Sequence, residues 1–302
     1  FLGLGSRSRL LSKNLSDGIP KLYYIREIGD ISLITKEFSY KRKLIILGGG
    51  FIGLEVASVA RNLGVDVTIL ESQERILKRT SAEIVANHIK SIHLLNGVSI
   101  KENTSIKKIL KTRENSFNIL TNKNELIYAD FIIAGIGAQP NTEIACNAGL
   151  LIDNGIVVDE TCRTSDPNIF AAGDCVSFPF NKDLIRLENV GNAIEQSETA
   201  SENVLGKDIK YQPVPWFWSD QFDVKLQIAG LNNGFTRVFH RQSDNKNSFW
   251  YYKDDQLISV DAINDPKSYM VGKKLLEMKK NPSPKDIVSN QLNLKDMLRE
   301  SK

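Results

Sequence analysis

The sequence predicts an α/β fold with a parallel sheet, followed by a separate α+β domain. Residues 44–47 are a short apolar run, which is typical of a buried parallel strand. Residues 51–63 then carry small and apolar side chains at helical spacing, and a run of glycines separates the two segments. After Gln212 the composition changes to aromatic residues between prolines, followed by alternating strand patterns. These observations place a parallel sheet first and a second domain after it.

The glycine run has the spacing of a phosphate-binding turn. Gly48, Gly50 and Gly53 match Gly-x-Gly-x-x-Gly, in which the first permits a tight turn and the second lets the backbone approach a pyrophosphate. The third lets the helix pack closely on the strand. The helix begins with Phe51 and Ile52, so its free N–H groups and positive dipole end face the turn. The pattern predicts a Rossmann-like dinucleotide site.

The next strand, at residues 65–70, ends at Glu71, about twenty residues after the glycines. An acidic side chain at this position accepts hydrogen bonds from an adenosine ribose and repels a 2′-phosphate, which favours NAD over NADP. Arg75, Lys78 and Arg79 follow closely and would offset that repulsion if they folded back. We therefore expect NAD, with NADP less favoured.

Further elements complete the nucleotide domain. The hydrophobic spacing predicts a helix at 81–95, strands at 106–111 and 116–121 with a hairpin tip at 113–115, and one buried strand at 126–134. This last strand runs into Gly135, Ile136 and Gly137, a second glycine turn that is expected to approach the same dinucleotide. The nucleotide domain is expected to span 36–139.

A second motif follows at residues 169–175, where a predicted buried strand ends in Gly173 and Asp174. An acid at the carboxyl end of a strand can bind a polyol hydroxyl, or it can cap a helix. Glu188 opens a long segment of helical character that Gly206 closes as a C′ residue. The N-terminal dipole end of such a helix suits the negative charge of a reduced flavin.

The C-terminal part reads as an α+β domain. Trp216, Phe217 and Trp218 form an aromatic cluster, for which core packing and a site role both remain open. The pattern predicts strands at 224–228, 235–240, 248–252 and 257–262, a hairpin tip at 253–256, and helical pieces at 269–279 and 292–299.

Composition excludes several classes of protein. Among 302 residues the formal net charge is +3, which is not the basic footprint of a nucleic-acid-binding protein. No apolar run reaches the length of a membrane span and no secretory leader opens the sequence, so a cytoplasmic protein is expected. Cys146, Cys162 and Cys175 lack the spacing of a disulfide framework or a zinc site and are expected to be small buried residues.

The histidines form no ligand set either, and no metal site is expected. His88 and His93 lie five apart in a helical stretch, off the spacing that shares one face, and we expect both at the surface or partly buried.

Taken in order, the motifs resemble one family. Six motifs are similar to those of the FAD-dependent NADH:ferredoxin/rubredoxin reductases of the putidaredoxin reductase type. They are the run 48–57, the turn at 134–137, Thr-Ser-Asp-Pro at 164–167, Ala-Gly-Asp-Cys at 172–175, Arg-Leu-Glu-Asn-Val at 186–190 and Pro-Trp-Phe-Trp-Ser-Asp-Gln at 215–221. These belong to the pyridine nucleotide-disulfide oxidoreductase superfamily. The tryptophan motif is the specific part, since glutathione-reductase-like enzymes lack it.

The resemblance implies a flavoprotein with two dinucleotide-binding domains and a C-terminal reductase domain. It implies electron transfer from NADH through FAD to a ferredoxin or rubredoxin that feeds a mono- or dioxygenase. No protein acid or base is then required, because the flavin carries the chemistry. The implied NAD contacts are Gly48, Gly50, Phe51, Ile52, Gly53, Glu55, Glu71, Gly135, Ile136 and Gly137, with Glu55 near the nicotinamide. The implied FAD contacts are Arg9, Gly173, Asp174, Glu188, Val190 and Trp216.

One departure from the family bears on the domain division. Family members open with their own Gly-x-Gly-x-x-Gly turn for FAD, and this sequence opens later. We therefore expect an N-terminally truncated chain that binds NAD but holds FAD only weakly or not at all. The expected division is a remnant of the FAD domain at 1–35, the NAD domain at 36–139, the return segment of the FAD domain at 140–210 and the reductase domain at 211–302.

Two other functions remain open at this point. A disulfide or peroxide reductase of the same superfamily would need a redox cysteine beside the flavin. A protein similar to apoptosis-inducing factor would keep the nucleotide folds without catalysis. The tryptophan motif favours the ferredoxin reductase.

Overall fold

The computed structural model describes residues 1–112, 116–289 and 294–298. The hairpin tip expected at 113–115 lies outside the described residues, as do both ends of the helix expected at 292–299. Between those ends the chain forms a single 3-10 turn at Asp296–Leu298.

The helices alternate with strands along most of the chain. They are α1 (Lys13–Ser16), α2 (Ile28–Ile34), α3 (Phe51–Asn62), α4 (Glu83–Leu95), α5 (Glu143–Asn147), α6 (Val190–Val204), α7 (Pro266–Glu277) and α8 (Pro284–Val288).

The strands are β1 (Ser6–Ser8), β2 (Leu22–Tyr23), β3 (Lys43–Leu47), β4 (Asp66–Leu70), β5 (Ser99–Lys101), β6 (Ile106–Lys111), β7 (Phe117–Thr121), β8 (Leu126–Ala129), β9 (Phe131–Ala134), β10 (Ala138–Pro140), β11 (Ile156–Val157), β12 (Val176–Phe180), β13 (Asp183–Ile185), β14 (Trp216–Gln221), β15 (Val224–Gly230), β16 (Arg237–Ser243), β17 (Lys246–Lys253) and β18 (Gln256–Ile263).

The chain divides into two compact units. The first unit contains Phe1–Arg7, Gln139–Trp218 and Lys225–Lys302, and the second contains Ser8–Ala138 and Ser219–Val224. The expected division into four domains is a finer description of the same chain, and it stays a prediction.

The second unit is organised around a parallel sheet of order β2-β9-β3-β4-β5. The apolar residues of β3 and β9 are all nearly inaccessible to solvent, as expected for strands covered on both faces. Residues Leu47 of β3 and Ala134 of β9 stand side by side in the register. The glycine turns that follow these two strands therefore lie at the same edge of the sheet, and the predicted Rossmann-like fold is confirmed.

The strand expected at 126–134 is two strands in two different sheets. Strand β8 pairs antiparallel with β7, whereas β9 joins the parallel sheet. The chain breaks at Asp130, whose N–H donates to the Lys43 carbonyl at 2.8 Å and whose carboxylate accepts from the Lys43 N–H at 2.7 Å. These bonds fix Asp130 beside β3 and turn the chain from one sheet to the other.

In the first unit, the strand expected before Gly173 is not a regular strand. Residues Phe170, Ala171 and Ala172 are buried as expected, but they make only isolated bridges, such as Leu2 with Ala171. A single bridge does not propagate into a ladder. The regular strand, β12, begins after Cys175 and pairs parallel with β11.

The C-terminal part of the chain contains a five-stranded sheet of order β14-β15-β18-β17-β16, against which α7 packs. The four strands expected here are present, and each ends beyond its expected last residue, although β16 begins at Arg237, two residues later than expected. The aromatic cluster at Trp216 is itself the strand β14, which the sequence pattern did not reveal. Helix α7 begins with Pro266 after Asp265, whose carboxylate accepts from the Ser268 N–H at 3.0 Å, a regular N-cap. The predicted α+β domain is confirmed.

The cysteines only partly follow expectation. Cys162 and Cys175 are buried, but Cys146 is exposed near the end of the short helix α5.

Candidate dinucleotide sites

In the glycine turn of the second unit, two of the three motif glycines are required by packing and the other borders open space. Gly48 has φ +100°, and a Cβ there would lie 2.4 Å from the Gly135 carbonyl oxygen. A Cβ on Gly53 would lie 2.2 Å from the Gly48 carbonyl oxygen. Gly50, the N-cap of α3, is extended, and a Cβ there would meet nothing within 4 Å. The first and third glycines are thus required by packing, and the second leaves the open space that a phosphate needs.

Glu71 closes β4 and is bonded to the turn itself. Its Oε2 accepts from the Gly49 N–H at 2.7 Å, and its Oε1 accepts from the Gln73 N–H at 2.7 Å. A carboxylate has about four lone-pair positions, so acceptor capacity for ribose hydroxyls remains. Glu71 therefore stabilises the turn as well as presenting negative charge to a ligand.

Two of the three cations that follow Glu71 are held elsewhere. Arg75 donates to the carbonyls of Ile76 and Ser81, at 3.2 Å and 2.8 Å, and Lys78 pairs with Glu74. Arg79 is exposed, and its Nη2 lies 3.4 Å from the position of a Cβ on Gly137. Of the three cations, Arg79 is therefore the one placed to offset the repulsion between Glu71 and a 2′-phosphate.

The second glycine turn lies against the first. The Gly135 N–H donates to the Leu47 carbonyl at 2.8 Å, and Gly137 has φ +105°. Ile136, between them, is half-buried. The Gly137 carbonyl accepts from the Arg9 N–H at 2.9 Å, so the backbone of Arg9 lies in the second unit.

Glu55, in the second turn of α3, is partly buried beside segment Ser219–Val224. The Ser219 hydroxyl donates to Glu55 Oε1 at 2.5 Å. Burial raises the pKa of Glu55, the bond from Ser219 lowers it, and the negative charge of Asp220 raises it again. The sequence pattern gives Ser219 no role of its own, because its partner lies 164 residues away in the sequence.

The expectation of an exposed or partly buried His93 is wrong, since its side chain is completely buried in the second unit. Its Nε2 lies 2.8 Å from Gln221 Oε1, and Phe222 packs edge-on against the ring at 5.0 Å between centroids. Helical spacing relative to His88 predicted the exposure, but segment Ser219–Val224 covers this face of α4.

The first unit holds the predicted flavin contacts other than Arg9. Asp174 follows Gly173, which has φ +86°, and its Oδ2 accepts from the Ser6 hydroxyl at 3.0 Å. The start of α6 lies alongside, since Ala193 is 3.7 Å from a Cβ on Gly173. Val190, the first residue of α6, is exposed. An acid, a left-handed glycine and a helix start are thus brought together.

Arg186 connects Asp174 and Glu188, a role that the sequence pattern did not predict. Its Nη1 donates to the Asp174 carbonyl at 3.1 Å and also pairs with the Glu188 carboxylate. Its Nε is buried without a hydrogen-bond partner. The Glu188 carboxylate is therefore held by Arg186.

Trp216 covers the start of α6. A Cβ on Gly191 would lie 2.5 Å from the indole, so the glycine is what lets the ring approach the helix. The indole N–H donates to Glu195 Oε1 at 3.3 Å, Trp218 stacks on the ring at 5.6 Å, and Lys273 Nζ lies 4.9 Å from the ring centre.

The residues present fit two dinucleotides of different character. In the second unit, open space at Gly50 beside a helix start suits a pyrophosphate, and Glu71 suits a ribose diol. In the first unit, the orphaned Arg186 Nε–H, the Asp174 carboxylate and the start of α6 offer donors and an acceptor to a polyol and its phosphates. Fold and sites define a dinucleotide-binding protein of Rossmann type.

Comparisons with known proteins make this class more specific. The family described as pyridine nucleotide-disulphide oxidoreductase matches residues 1–202, and the reductase C-terminal family matches residues 216–298. The chain is 35% identical over 299 residues to rhodocoxin reductase of Rhodococcus erythropolis, covering 98% of this chain and 70% of that protein. It is 33% identical over 285 residues to putidaredoxin reductase of Pseudomonas putida, covering 92% and 68%.

Among solved structures, the covalent putidaredoxin reductase–putidaredoxin complex matches with a TM-score of 0.94 and 32% identity, covering 99% of this chain and 73% of that one. The chain therefore belongs to the pyridine nucleotide-disulphide oxidoreductase family, in its group of ferredoxin and rubredoxin reductases that includes these two relatives. Across residues 1–112, 116–289 and 294–298, no helix is long and apolar enough to cross a membrane.

Proposed function

We propose that this protein is a flavoprotein oxidoreductase that passes electrons from NADH, through FAD, to a small iron–sulfur protein of the ferredoxin or rubredoxin type, which feeds a mono- or dioxygenase. The observation that carries the proposal is the reductase C-terminal domain at residues 216–298, joined to a nucleotide-binding part. The named relatives are reductases of rhodocoxin and putidaredoxin.

The NAD site is proposed in the second unit. Gly50, Phe51 and Ile52 supply the helix start for the pyrophosphate, on a turn whose shape depends on Gly48 and Gly53. The remaining proposed contacts are Glu71 for the ribose, Glu55 near the nicotinamide, and Gly135, Ile136 and Gly137.

The FAD site is proposed in the first unit, with Gly173, Asp174, Glu188, Val190 and Trp216 as its contacts. Arg9, whose backbone lies in the second unit, stays a predicted contact. FAD, when bound, supplies the conversion of a two-electron hydride into single electrons. The chain's own part is to bind and orient: Asp174 accepts hydroxyl donors, and Arg186 fixes Glu188. Trp216 packs against Gly191 near the start of α6. The proposed domains remain 1–35 and 140–210 for FAD, 36–139 for NAD and 211–302 for the reductase domain.

A preference for NADH over NADPH follows from Glu71 and is testable on the chain alone. Glu71→Gln keeps an oxygen for the Gly49 N–H but removes the negative charge. We expect the ratio of the NADPH to the NADH dissociation constant to fall roughly tenfold, about 1.4 kcal/mol. Titrations followed by the fluorescence of NADH and of NADPH measure the two constants. Glu74→Gln is the matched control, because Glu74 pairs with Lys78 at the surface. An unchanged ratio in Glu71→Gln would contradict the assignment.

The proposed function is tested with two acceptors. The purified protein is supplied with FAD and mixed under argon with NADH and either an oxidised ferredoxin or a small disulfide. We expect the visible absorbance of the iron–sulfur centre to bleach and no thiol to form. Thiol release without bleaching would instead establish the disulfide reductase.

Two of the three cysteines are poorly suited to a disulfide reductase. Burial raises the pKa of Cys162 to about 12 and also raises that of Cys175, so both are poor thiolates. Cys146 is exposed. Their free state is consistent with the reducing compartment of a cytoplasmic protein, which is part of this proposal.

A further inference from the structure

A hydrogen-bonded array runs from His93 to Glu55 inside the second unit. His93 Nε2 lies 2.8 Å from Gln221 Oε1, and Gln221 Nε2 lies 2.9 Å from Ser219 Oγ. Ser219 Oγ lies 2.5 Å from Glu55 Oε1. His93, Gln221 and Ser219 are each no more than 1% exposed, so water does not interrupt the array.

The array allows two directions for its protons. In the first, His93 Nε2–H donates to the Gln221 carbonyl oxygen, the Gln221 amide donates to Ser219, and the Ser219 hydroxyl donates to Glu55. In the second, the amide is turned over, the Ser219 hydroxyl donates to Gln221, and Glu55 must itself carry a proton to donate to Ser219. The orientation of a glutamine amide is decided by such a network.

His93 distinguishes the two directions. Its Nδ1 is buried and has no hydrogen-bond partner. The first direction leaves Nδ1 an unpaired acceptor, whereas the second places the ring proton there as an unpaired donor. Buried N–H groups without an acceptor are rarer than unpaired acceptors, so the first direction is favoured.

We propose that His93, Gln221 and Ser219 are positioning residues that direct every proton of the array toward Glu55 and so hold its side chain as an ionised acceptor. Burial lowers the pKa of His93, so its ring is neutral and has only one N–H to donate. Opposing influences act on Glu55, because burial and Asp220, the charged group facing it, raise its pKa. The bond from Ser219 lowers the pKa and limits this rise, so the pKa of Glu55 lies above its ordinary value by less than burial alone would give.

The array also affects binding of the nicotinamide ring, if Glu55 lies near that ring as in the proposed function. An ionised Glu55 attracts the positively charged ring of NAD⁺ more than the neutral ring of NADH. The array therefore sets the relative affinity of the two redox forms. Its own existence does not depend on where the nicotinamide binds.

The tautomer of His93 is the first test. The protein has three histidines, so ¹⁵N-labelled imidazole signals are assigned by comparison with His93→Phe. In the unaltered protein we expect a neutral ring with its proton on Nε2 from pH 7 to 8. A proton on Nδ1, or a charged ring in this range, overturns the proposal without any variant having to fold.

The second test is the titration of Glu55, followed by ¹³C carboxyl signals assigned through Glu55→Gln. Ser219→Ala should raise the pKa of Glu55 by about one unit or more, Gln221→Leu by less and His93→Phe by least. Ser219→Thr, which keeps the hydroxyl, should restore the original value. Ser58→Ala is the control, since it removes the oxygen that accepts from the Phe222 N–H at 2.5 Å and loosens the same segment without entering the array.

Equal shifts in the array variants and in Ser58→Ala would show a merely structural effect and overturn the proposal, as would no shift in Ser219→Ala. The nucleotide arm is separate: Ser219→Ala should weaken NAD⁺ binding relative to NADH about threefold to tenfold near neutral pH. If Glu55 titrates as expected but this ratio does not move, the array stands and the placing of Glu55 beside the nicotinamide fails.

Discussion

Asp261 in β18 is a buried acid with one hydrogen bond. Its Oδ2 accepts from the Tyr251 hydroxyl at 2.9 Å, whereas its Oδ1 is buried without a partner. Burial raises the pKa of Asp261 from 3.8 to about 7. Between those values the folded chain keeps a proton that the unfolded chain has released, so this group lowers the free energy of unfolding as pH rises and levels off above about pH 7.

Replacing Asp261 with asparagine should remove this dependence. Unfolding in urea at pH 5, 6, 7 and 8 gives the free energy of unfolding, whose fall with pH in the original protein should exceed that of Asp261→Asn by up to roughly 1.4 kcal/mol per pH unit. Other titrating groups are common to both proteins and cancel in the comparison. Parallel curves would show that Asp261 is ionised in the folded chain.

The glycines of the turn offer a matched pair of substitutions. Gly48→Ala forces a side chain into the left-handed region against the Gly135 carbonyl, and we expect the free energy of unfolding to fall by about 1–3 kcal/mol. Gly50→Ala meets open space, so stability should change by roughly 0.5 kcal/mol or less while the NADH dissociation constant rises about tenfold. Chemical denaturation and NADH titration separate the two effects. Normal NADH affinity in Gly50→Ala would place the pyrophosphate elsewhere.

Residue patterns predicted the tight turn at Gly48 and the close packing at Gly53, because the glycine spacing marks both. The ligand role that they give Gly50 stays a prediction. They did not predict that Glu71 accepts from the Gly49 N–H, since this depends on how a side chain turns after folding. They misplaced His93 for a related reason, since its partner Gln221 lies 128 residues further along the chain.

At the scale of elements, periodicity predicted the long helices α3, α4, α6 and α7 and most of the longer strands, but neither the short helices nor the interruptions. The apolar run at 126–134 gives no sign of a break, which arises from bonds between Asp130 and Lys43, 87 residues apart in the sequence. Strand β14 was also missed, because aromatic residues between prolines indicate packing without indicating its form.

The start of α6 depends on its contact with β14. Gly191→Ala places a methyl group where the Trp216 indole lies, so the ring must move and its bond to Glu195 is lost. We expect a loss of about 1–3 kcal/mol in the free energy of unfolding and a shift in tryptophan fluorescence. Glu198→Ala, on an exposed position of the same helix, is the control and should leave both nearly unchanged. A Gly191→Ala protein with the original fluorescence would contradict the contact.

At the scale of the whole molecule, the sequence predicted the kinds of domain and the order of motifs. It did not predict that segment Ser219–Val224 belongs to the same compact unit as residues 8–138. Hydrophobic periodicity in the sequence does not indicate contacts between distant segments, because it reflects only local structure. The array from His93 to Glu55 depends on this segment and was for that reason invisible to motif reasoning.

The proposed acceptor makes a prediction about the molecule's charge. An acidic iron–sulfur partner is expected, so basic side chains of the C-terminal part should steer its approach. Of four candidate lysines, Lys274 pairs with Glu277, Lys280 donates to the Leu298 carbonyl, and Lys273 lies over Trp216. Lys279 is exposed at the end of α7 and is the best placed for steering.

Raising the ionic strength from about 20 to about 200 mM should slow reduction of the iron–sulfur partner roughly tenfold, while the rate of NADH oxidation with a neutral quinone acceptor stays nearly constant. Lys279→Glu should slow the partner reaction at low salt and weaken its salt dependence, whereas Lys108→Glu, on an exposed position of β6, should do neither. Stopped-flow spectroscopy measures both reactions. Equal slowing of the two by salt would mean that the charge acts on the common NADH step and not on encounter with the partner.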